Sequence, residues 1–297
     1  MNSVFIALVL LTLVKATPIV YAALGGVISE RSGVINIGLE GMMAAGAFGA
    51  VIVSYYVHVP IPVVGPYIGP IVGLFAGVGF GAFMGFVLAI ASTKFKVDQI
   101  VAGMGINLIC SGGAAYGLVL LFNQPGASKE VASLGNVGQW VLVLFAFVCA
   151  AALNAVLYKT PWGLRVRATG ENPYAVKSAG LDPLRYRLLA VTLSGALAGL
   201  GGAFLSIAEL NIYSDGMTAG RGFIALAAVI FGRWTPFGAL GAAIVFGLFE
   251  ALQDVLQGQF SWLPPDALSA LPYVAALVAL AGVTGRVRAP ASDGVPY

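Results

Sequence analysis

The chain has 297 residues, of which 59% are hydrophobic and only 9% are charged, and its formal net charge is +3. A soluble domain of ordinary composition carries about 25% charged residues, so this composition excludes a water-soluble globular protein. The low polarity equally excludes a disordered chain. We therefore expect an all-α fold, a polytopic transmembrane helix bundle, that forms a single transmembrane domain over residues 1–297.

Nine apolar runs are separated by short polar breaks. In chain order they cover residues 3–27, 38–57, 70–92, 100–122, 140–158, 188–208, 223–231, 238–256 and 271–283. A spanning helix needs about 20 apolar residues, so the run 223–231 is too short to cross a bilayer alone. It either extends back through Met217 or forms a half-helix. The pattern predicts about eight or nine spans, some of them short or broken.

The distribution of basic residues predicts the orientation of these spans. Twelve of the fifteen Lys and Arg residues fall on one side if the loops at 94–96 and 159–187, the break at Arg233, the pair Arg286 and Arg288, and Arg31 share that side. Basic residues concentrate in cytoplasmic loops, so we expect the C-terminus in the cytoplasm. The N-terminus then lies outside if all nine runs cross. The first run lacks a preceding basic region and is interrupted by Lys15, which argues against a cleaved signal peptide.

Glycine is unusually frequent, with 40 residues. Small residues let membrane helices approach closely, and the spacing of four places several on one helix face: Gly73, Gly77, Gly81 and Gly85, then Gly41, Ala45 and Gly49, then Gly195 and Gly199. We expect these faces to pack against other helices of the same chain. The alternative is a seam between two subunits.

The inner loop 159–187 is organised like a folded element. A helix N-cap residue is followed by proline three times, at Thr160-Pro161, Asn172-Pro173 and Asp182-Pro183. Gly170 and Gly180 stand where helices would end. The pattern predicts a helix over 161–169, a short helix over 173–179 and the start of the next span after Pro183. A helix this short needs a docking partner. It either transmits the motion of a soluble motor protein or caps the bundle at the interface.

Three segments resemble a known family. They are 168–181 (ATGENPYAVKSAGL), 23–42 (ALGGVISERSGVINIGLEGM) and 222–236 (GFIALAAVIFGRWTP). The first is similar to the cytoplasmic loop of ABC importer permeases of the branched-chain amino acid, ribose and nucleoside class. The other two are closest to the nucleoside and simple-sugar branch. The resemblance implies a permease subunit in the cell (inner or plasma) membrane that imports a nucleoside or a related sugar-containing solute.

The resemblance also implies an assembly. Such permeases work with an ABC ATPase, a second permease subunit and an extracytoplasmic substrate-binding protein. This branch suggests a heterodimer, because the chain resembles the shorter of two paired permeases. No Lys directly follows a Gly, so the chain lacks a Walker A loop. We expect no cofactor in this chain, with ATP used by the partner subunits, and no metal or nucleic acid. The expected coupling residues are Gly170, Glu171, Asn172, Pro173, Tyr174, Lys177, Ala179 and Gly180.

Polar side chains inside apolar runs are candidates for the substrate pathway, because burying them is costly unless they are paired. Carboxylates and amides suit the hydroxyls and ring nitrogens of a nucleoside. The candidates are Asn36, Glu40, Asn107, Glu250 and Gln253. The alternative is that these groups bond neighbouring helices. For Glu209, Asp215 and Asp254 we favour that alternative.

Two other function classes compete with the importer. A secondary transporter or channel that works without an ATPase often shows internal repeats and charged residues at mid-span, and neither is clear here. A membrane-embedded enzyme would need a cluster of His, Cys or paired carboxylates, whereas the sequence has one histidine, His58, and two cysteines, Cys110 and Cys149, which both lie in apolar runs. We therefore expect that the chain is not an enzyme.

Overall fold

The computed structural model describes residues 2–58, 65–259, 270, 274, 288–295 and 297. These residues form ten α-helices and a π-helical segment. In chain order the helices are α1 (Asn2–Arg31), α2 (Leu39–His58), α3 (Gly65–Thr93), α4 (Gln99–Phe122), α5 (Gly135–Lys159), α6 (Pro161–Glu171), α7 (Pro173–Ser178), α8 (Pro183–Ala203), α9 (Arg221–Phe231) and α10 (Pro236–Gln259). The π-helical segment, Phe204–Glu209, continues directly from α8.

Seven of the helices in the described part are long and apolar enough to cross a membrane. They coincide with seven predicted runs, which confirms the polytopic helical bundle. The run 223–231 is α9, whose 11 residues span roughly 16 Å, about half of a bilayer core. Helix α9 begins at Arg221, so the half-helix prediction is confirmed and the extension through Met217 is not. Of the predicted run 271–283, the structure describes residue 274 alone, so it does not test that span.

The glycine faces bring α2, α3 and α8 together. Gly73, Gly77, Gly81 and Gly85 are all buried on one side of α3. A Cβ atom added at Gly81 would meet the backbone of Gly195 and Gly199 on α8. The absence of side chains at these positions lets the two helix backbones touch, which is how glycine promotes packing in membranes. The faces therefore pack within this chain, as predicted, and the alternative of an intersubunit seam does not hold for the α3 face.

The basic segments of the described chain meet at one end of the bundle, which we call the α6–α7 end. Arg31, the last residue of α1, donates from Nε to the carbonyl of Trp234 at 2.7 Å. The Ile35 amide donates to Gln99 Oε1 at 2.7 Å, which ties the α1–α2 connection to the 94–98 loop. Arg187 donates to the carbonyl of Ser32 at 3.2 Å. The α4–α5 loop instead pairs with the segment after Glu209, at the opposite end.

Candidate functional site

Three side chains cap the helices of the α6–α7 end as the sequence predicts. The Thr160 hydroxyl accepts from the Gly163 amide at 3.1 Å. The Asn172 carbonyl Oδ1 accepts from the Ala175 amide at 3.0 Å, and Asp182 Oδ1 accepts from the Leu184 amide at 3.1 Å. Each cap is followed by a proline at the first helical position. Three successive helix starts are therefore capped by local hydrogen bonds, so this segment is an ordered helical element and not a flexible linker.

The two glycines of this element differ in their roles. Gly180 has a φ of +78°, and its amide donates to the Lys177 carbonyl while the Leu181 amide donates to the Val176 carbonyl. This pair of bonds is the Schellman end that glycine favours, so the predicted helix stop is confirmed. The prediction that α6 stops before Gly170 is wrong, because α6 continues to Glu171. Gly170 instead lies against the Arg31 carbonyl, which leaves no room for a side chain.

Helix α7 presents an exposed surface. Its six residues bury only Pro173 and Val176. Of the other predicted coupling residues, Gly170 is buried. Tyr174 retains 69% of its accessible surface, and the remaining ones are also exposed: Glu171, Asn172, Lys177, Ala179 and Gly180. Beside α7 an open depression of about 390 Å³ is lined by Leu164, Arg165, Ala168, Glu171, Asn172, Ala175, Val176, Ala179 and Leu181. An exposed short helix next to a largely apolar depression offers a docking surface for a protein partner.

Inside the bundle, Glu40 caps the half-helix α9. Its carboxylate accepts from the Gly220 amide at 2.8 Å and from the Gly222 amide at 2.7 Å. Helix α9 ends beside Arg31, so its first turn lies roughly 16 Å from the α6–α7 end. Amide groups at such a depth need a protein partner. Glu40 supplies it together with a negative charge that favours a helix N-terminus.

Asn107 and Asn36 hold the unwound connection between α1 and α2. Asn107 on α4 accepts from the Gly41 amide at 2.7 Å and donates to the Ile37 carbonyl at 3.0 Å. Asn36 is fully buried and donates to the Ser194 hydroxyl at 2.9 Å. Both side chains therefore satisfy groups of the protein itself. The structure brings Asn36, Glu40 and Asn107 to the start of α2, and their contact with substrate stays a prediction.

Glu250, Glu209 and Asp254 form two groups of ion pairs with basic side chains. Arg221 Nη2 lies 2.9 Å from Glu250 Oε2, and both side chains are nearly buried. Lys15 Nζ lies 2.9 Å from Glu209 Oε1 and 3.0 Å from Asp254 Oδ2. These pairs join α1, α9, α10 and the π-helical segment, as expected for Glu209 and Asp254. Gln253 lies half-buried on α10, less than one turn from Glu250.

Sequence reasoning missed Arg187 and the segment that it holds. Arg187 is 1% exposed and donates to the carbonyls of Ser32, Ser292 and Val295. The last two residues belong to a stretch that we call the strap, residues 288–295 and 297, which packs on α6 and α7. The sequence gives one sign that Arg187 could be buried, which is its position four residues inside a helix that begins at Pro183. A charge at that position does not need to face solvent.

Residues 8–281 match the family described as branched-chain amino acid transport system / permease component. The guanosine ABC transporter permease protein NupQ of Bacillus subtilis is 35% identical, over 96% of this chain and 94% of NupQ. The nucleoside ABC transporter permease protein NupC of Lactococcus lactis is also 35% identical, with the same coverage of both chains.

A solved structure shares the fold. It is an inward-facing conformation of a proposed metal-chelate type ABC transporter, and it matches with a TM-score of 0.53 at 17% identity. The match covers 91% of this chain and 84% of that chain. At this identity the likeness concerns the fold alone.

Proposed function

Because the chain belongs to the family of permease components of branched-chain amino acid transport systems, we propose that it is the transmembrane permease subunit of an ABC importer for nucleosides. The family is one of membrane permeases, so the chain is a transport component and not an enzyme. The nucleoside substrate is supported by the two relatives at 35% identity, which are named as a guanosine permease and a nucleoside permease.

The observation that carries the proposal is the capped helix α7. It is six residues long and exposed on most of its surface, and it lies at one end of a bundle that crosses the membrane. A helix of this length is not stable alone, so its caps at Asn172 and Gly180 hold it in a fixed position. An ATPase that closes as a rigid body can push such a helix and thereby move the spans attached to it.

In this proposal an ABC ATPase docks on α7 and on the depression beside it. Glu171, Asn172, Tyr174 and Lys177 are the contacts, because they are exposed around the first and last turns of α7. Gly170, Pro173, Ala179 and Gly180 shape the backbone. ATP is bound and hydrolysed by the partner subunit. The α6–α7 end, which also carries the strap, lies in the cytoplasm, because Arg31, Arg165 and Arg167 gather there.

The assembly also includes a second permease and an extracytoplasmic binding protein. The second permease is a different chain, because this chain resembles the shorter of two paired permeases in its branch. The binding protein delivers the nucleoside to the end where the α4–α5 loop lies. Asn36, Glu40, Asn107, Glu250 and Gln253 are proposed to bound the pathway between the two permeases.

The test is reconstituted uptake. The permease, its partner permease, the ATPase and the binding protein are copurified, placed in liposomes and supplied with labelled guanosine. We expect accumulation that requires both ATP and the binding protein, with leucine not transported. Charge reversal at Glu171 and Lys177 should abolish uptake while the protein still inserts. Lys159→Glu, on the last turn of α5, is the matched charge control.

Two outcomes contradict the proposal. Guanosine accumulation that persists without ATP and without the ATPase indicates a secondary transporter or channel. Uptake of a sugar or an amino acid in place of guanosine assigns a different substrate. Normal transport by both charge-reversal variants would show that α7 is not the coupling helix, and the importer assignment would then rest on the relatives alone.

A further inference from the structure

The strap binds the end of α6 through its backbone. The Ser292 amide donates to the Gly170 carbonyl at 2.8 Å, and the Ser292 hydroxyl donates to the Glu171 carbonyl at 3.1 Å. The Ala291 amide lies 3.4 Å from Glu171 Oε2. The two Ser292 bonds use carbonyl groups at the last turn of α6, where helix carbonyls lack an intrahelical partner. The strap therefore takes the place of a helix cap directly before α7.

The strap also covers part of α7. The rings of Tyr297 and Tyr174 meet edge to face, with their centroids 5.0 Å apart. Tyr174 is on the first turn of α7 and is otherwise exposed. Within α7 only Pro173 and Val176 are buried, so the contact of Tyr174 with Tyr297 adds a side-chain attachment to a helix that is otherwise held by these two residues and by its caps.

The other side of the strap reaches the connection between α1 and α2. Arg187 Nη1 donates to the Val295 carbonyl at 3.0 Å, and its Nε donates to the Ser32 carbonyl at 3.2 Å. Gly294 lies against the Ile35 side chain, close enough that an added Cβ would be 2.8 Å from Ile35 Cδ1. This connection leads directly to Asn36 and Glu40. One buried guanidinium thus ties the strap to α8 and to the unwound entry into α2.

We propose that the strap is the transmission element that joins the coupling helix to the α1–α2 connection. It touches α7 through Tyr297 and the connection through Gly294 and Arg187, so a displacement of α7 moves both together. The connection also touches α6 and α8 directly, where Gly170 lies against Arg31 and Arg187 binds Ser32. The strap adds to these contacts a link from α7 itself. This inference rests on the proposed function, since it supposes that α7 receives the push.

The first test measures coupling in the complete reconstituted transporter. Deletion of residues 289–297 is compared with Tyr297→Ala and with Tyr297→Phe, which keeps the ring. We expect the deletion to raise the ATP hydrolysed per nucleoside imported by at least about fivefold, the factor expected from one lost net hydrogen bond. Tyr297→Ala should give an intermediate ratio and Tyr297→Phe the wild-type ratio. A wild-type ratio in the deletion variant overturns the proposal. The proposal is also overturned if the ATPase no longer copurifies with the deletion variant, because the strap would then be a contact for docking the ATPase.

The second test does not depend on ATPase activity. Amide hydrogen exchange is measured on the full permease and on the deletion variant, each alone in lipid nanodiscs. We expect deletion to speed exchange both in 173–178 and in 32–38, because the strap holds both segments. Exchange that changes in only one of the two segments, or in neither, overturns the proposal. If the wild-type assembly shows no ATP-dependent uptake while exchange changes as expected, the proposed function fails and the strap's bridging role stands.

Discussion

The Glu40 carboxylate on α2 accepts a hydrogen bond from the Gly222 amide on α9 at 2.7 Å. The two residues are 182 positions apart, and each lies in the first turn of its helix. A Cβ atom at Gly222 would collide with the backbone of Glu40. The contact therefore requires a glycine on one side and an acceptor with two oxygen atoms on the other.

Replacing Glu40 with alanine should destabilise the permease. The change leaves the amides of Gly220 and Gly222 without their acceptors, and each unsatisfied buried donor costs about 1–3 kcal/mol. We expect a clear fall in the temperature of thermal unfolding in detergent, and a smaller fall for Glu40→Gln, which keeps one neutral acceptor. Glu130→Ala, an exposed acid in the α4–α5 loop, is the control. Equal unfolding temperatures for wild type and both Glu40 variants would contradict the capping role.

Local signals explain why the α6–α7 end could be predicted from sequence. The Asn172 side chain accepts a hydrogen bond from an amide only three residues away. The end of α7 at Gly180 depends on the positive φ of that one residue. Neither depends on the rest of the fold. The apolar runs are equally local, because spanning a bilayer requires only enough apolar residues in sequence.

Long-range contacts explain what the sequence did not predict. The start of α9 at Arg221 depends on Glu40, which is distant in the chain. The burial of Arg187 depends on carbonyls 155 and 108 positions away. The sequence favours a helix stop at Gly170 because glycine is common at that position, whereas the close approach of Arg31 is what requires a glycine there. Packing between distant segments decides each of these, and a single sequence does not display it.

Removing Arg221 should be more damaging than removing the whole ion pair. Arg221→Met leaves the buried Glu250 carboxylate without its partner, a change that typically costs about 3–5 kcal/mol. The double variant Arg221→Met with Glu250→Leu replaces two charges by apolar groups and should recover most of the loss. Thermal unfolding of the two single variants and the double variant measures this. A double variant whose loss equals the sum of the single losses would show that the two side chains act independently.

Two glycines of α3 provide a matched pair for helix packing. A Cβ atom at Gly81 would meet the Gly195 carbonyl, whereas one at Gly79 would have no atom within 4 Å. Gly81→Ala should therefore force α3 and α8 apart and cost about 1–3 kcal/mol. Gly79→Ala should be neutral or slightly stabilising, because alanine has the better helix propensity. Both are compared by thermal unfolding in detergent, and equal shifts for the two variants would contradict close α3–α8 packing.

Attachment of the strap should depend on pH through Asp293. Burial raises the pKa of its carboxyl to about 7, while the Arg187 guanidinium acts in the opposite direction. Glu30 of α1 is an acid that interacts with Asp293. The attached strap therefore binds a proton that a released strap, with a pKa near 3.9, gives up. Attachment is strongest at low pH, weakens as the pH rises towards 7 and changes little above that.

A spin label on Val295→Cys reports this attachment, because the Val295 side chain is exposed while its carbonyl binds Arg187. Cys110 and Cys149 are first replaced by alanine. We expect label mobility to increase between pH 5.5 and 8 in the otherwise native chain. Asp293→Asn keeps a neutral side chain at every pH, so its label should remain immobile throughout. The same pH response in both proteins would exclude Asp293 as the titrating group and assign the response to Glu30 or to another neighbour.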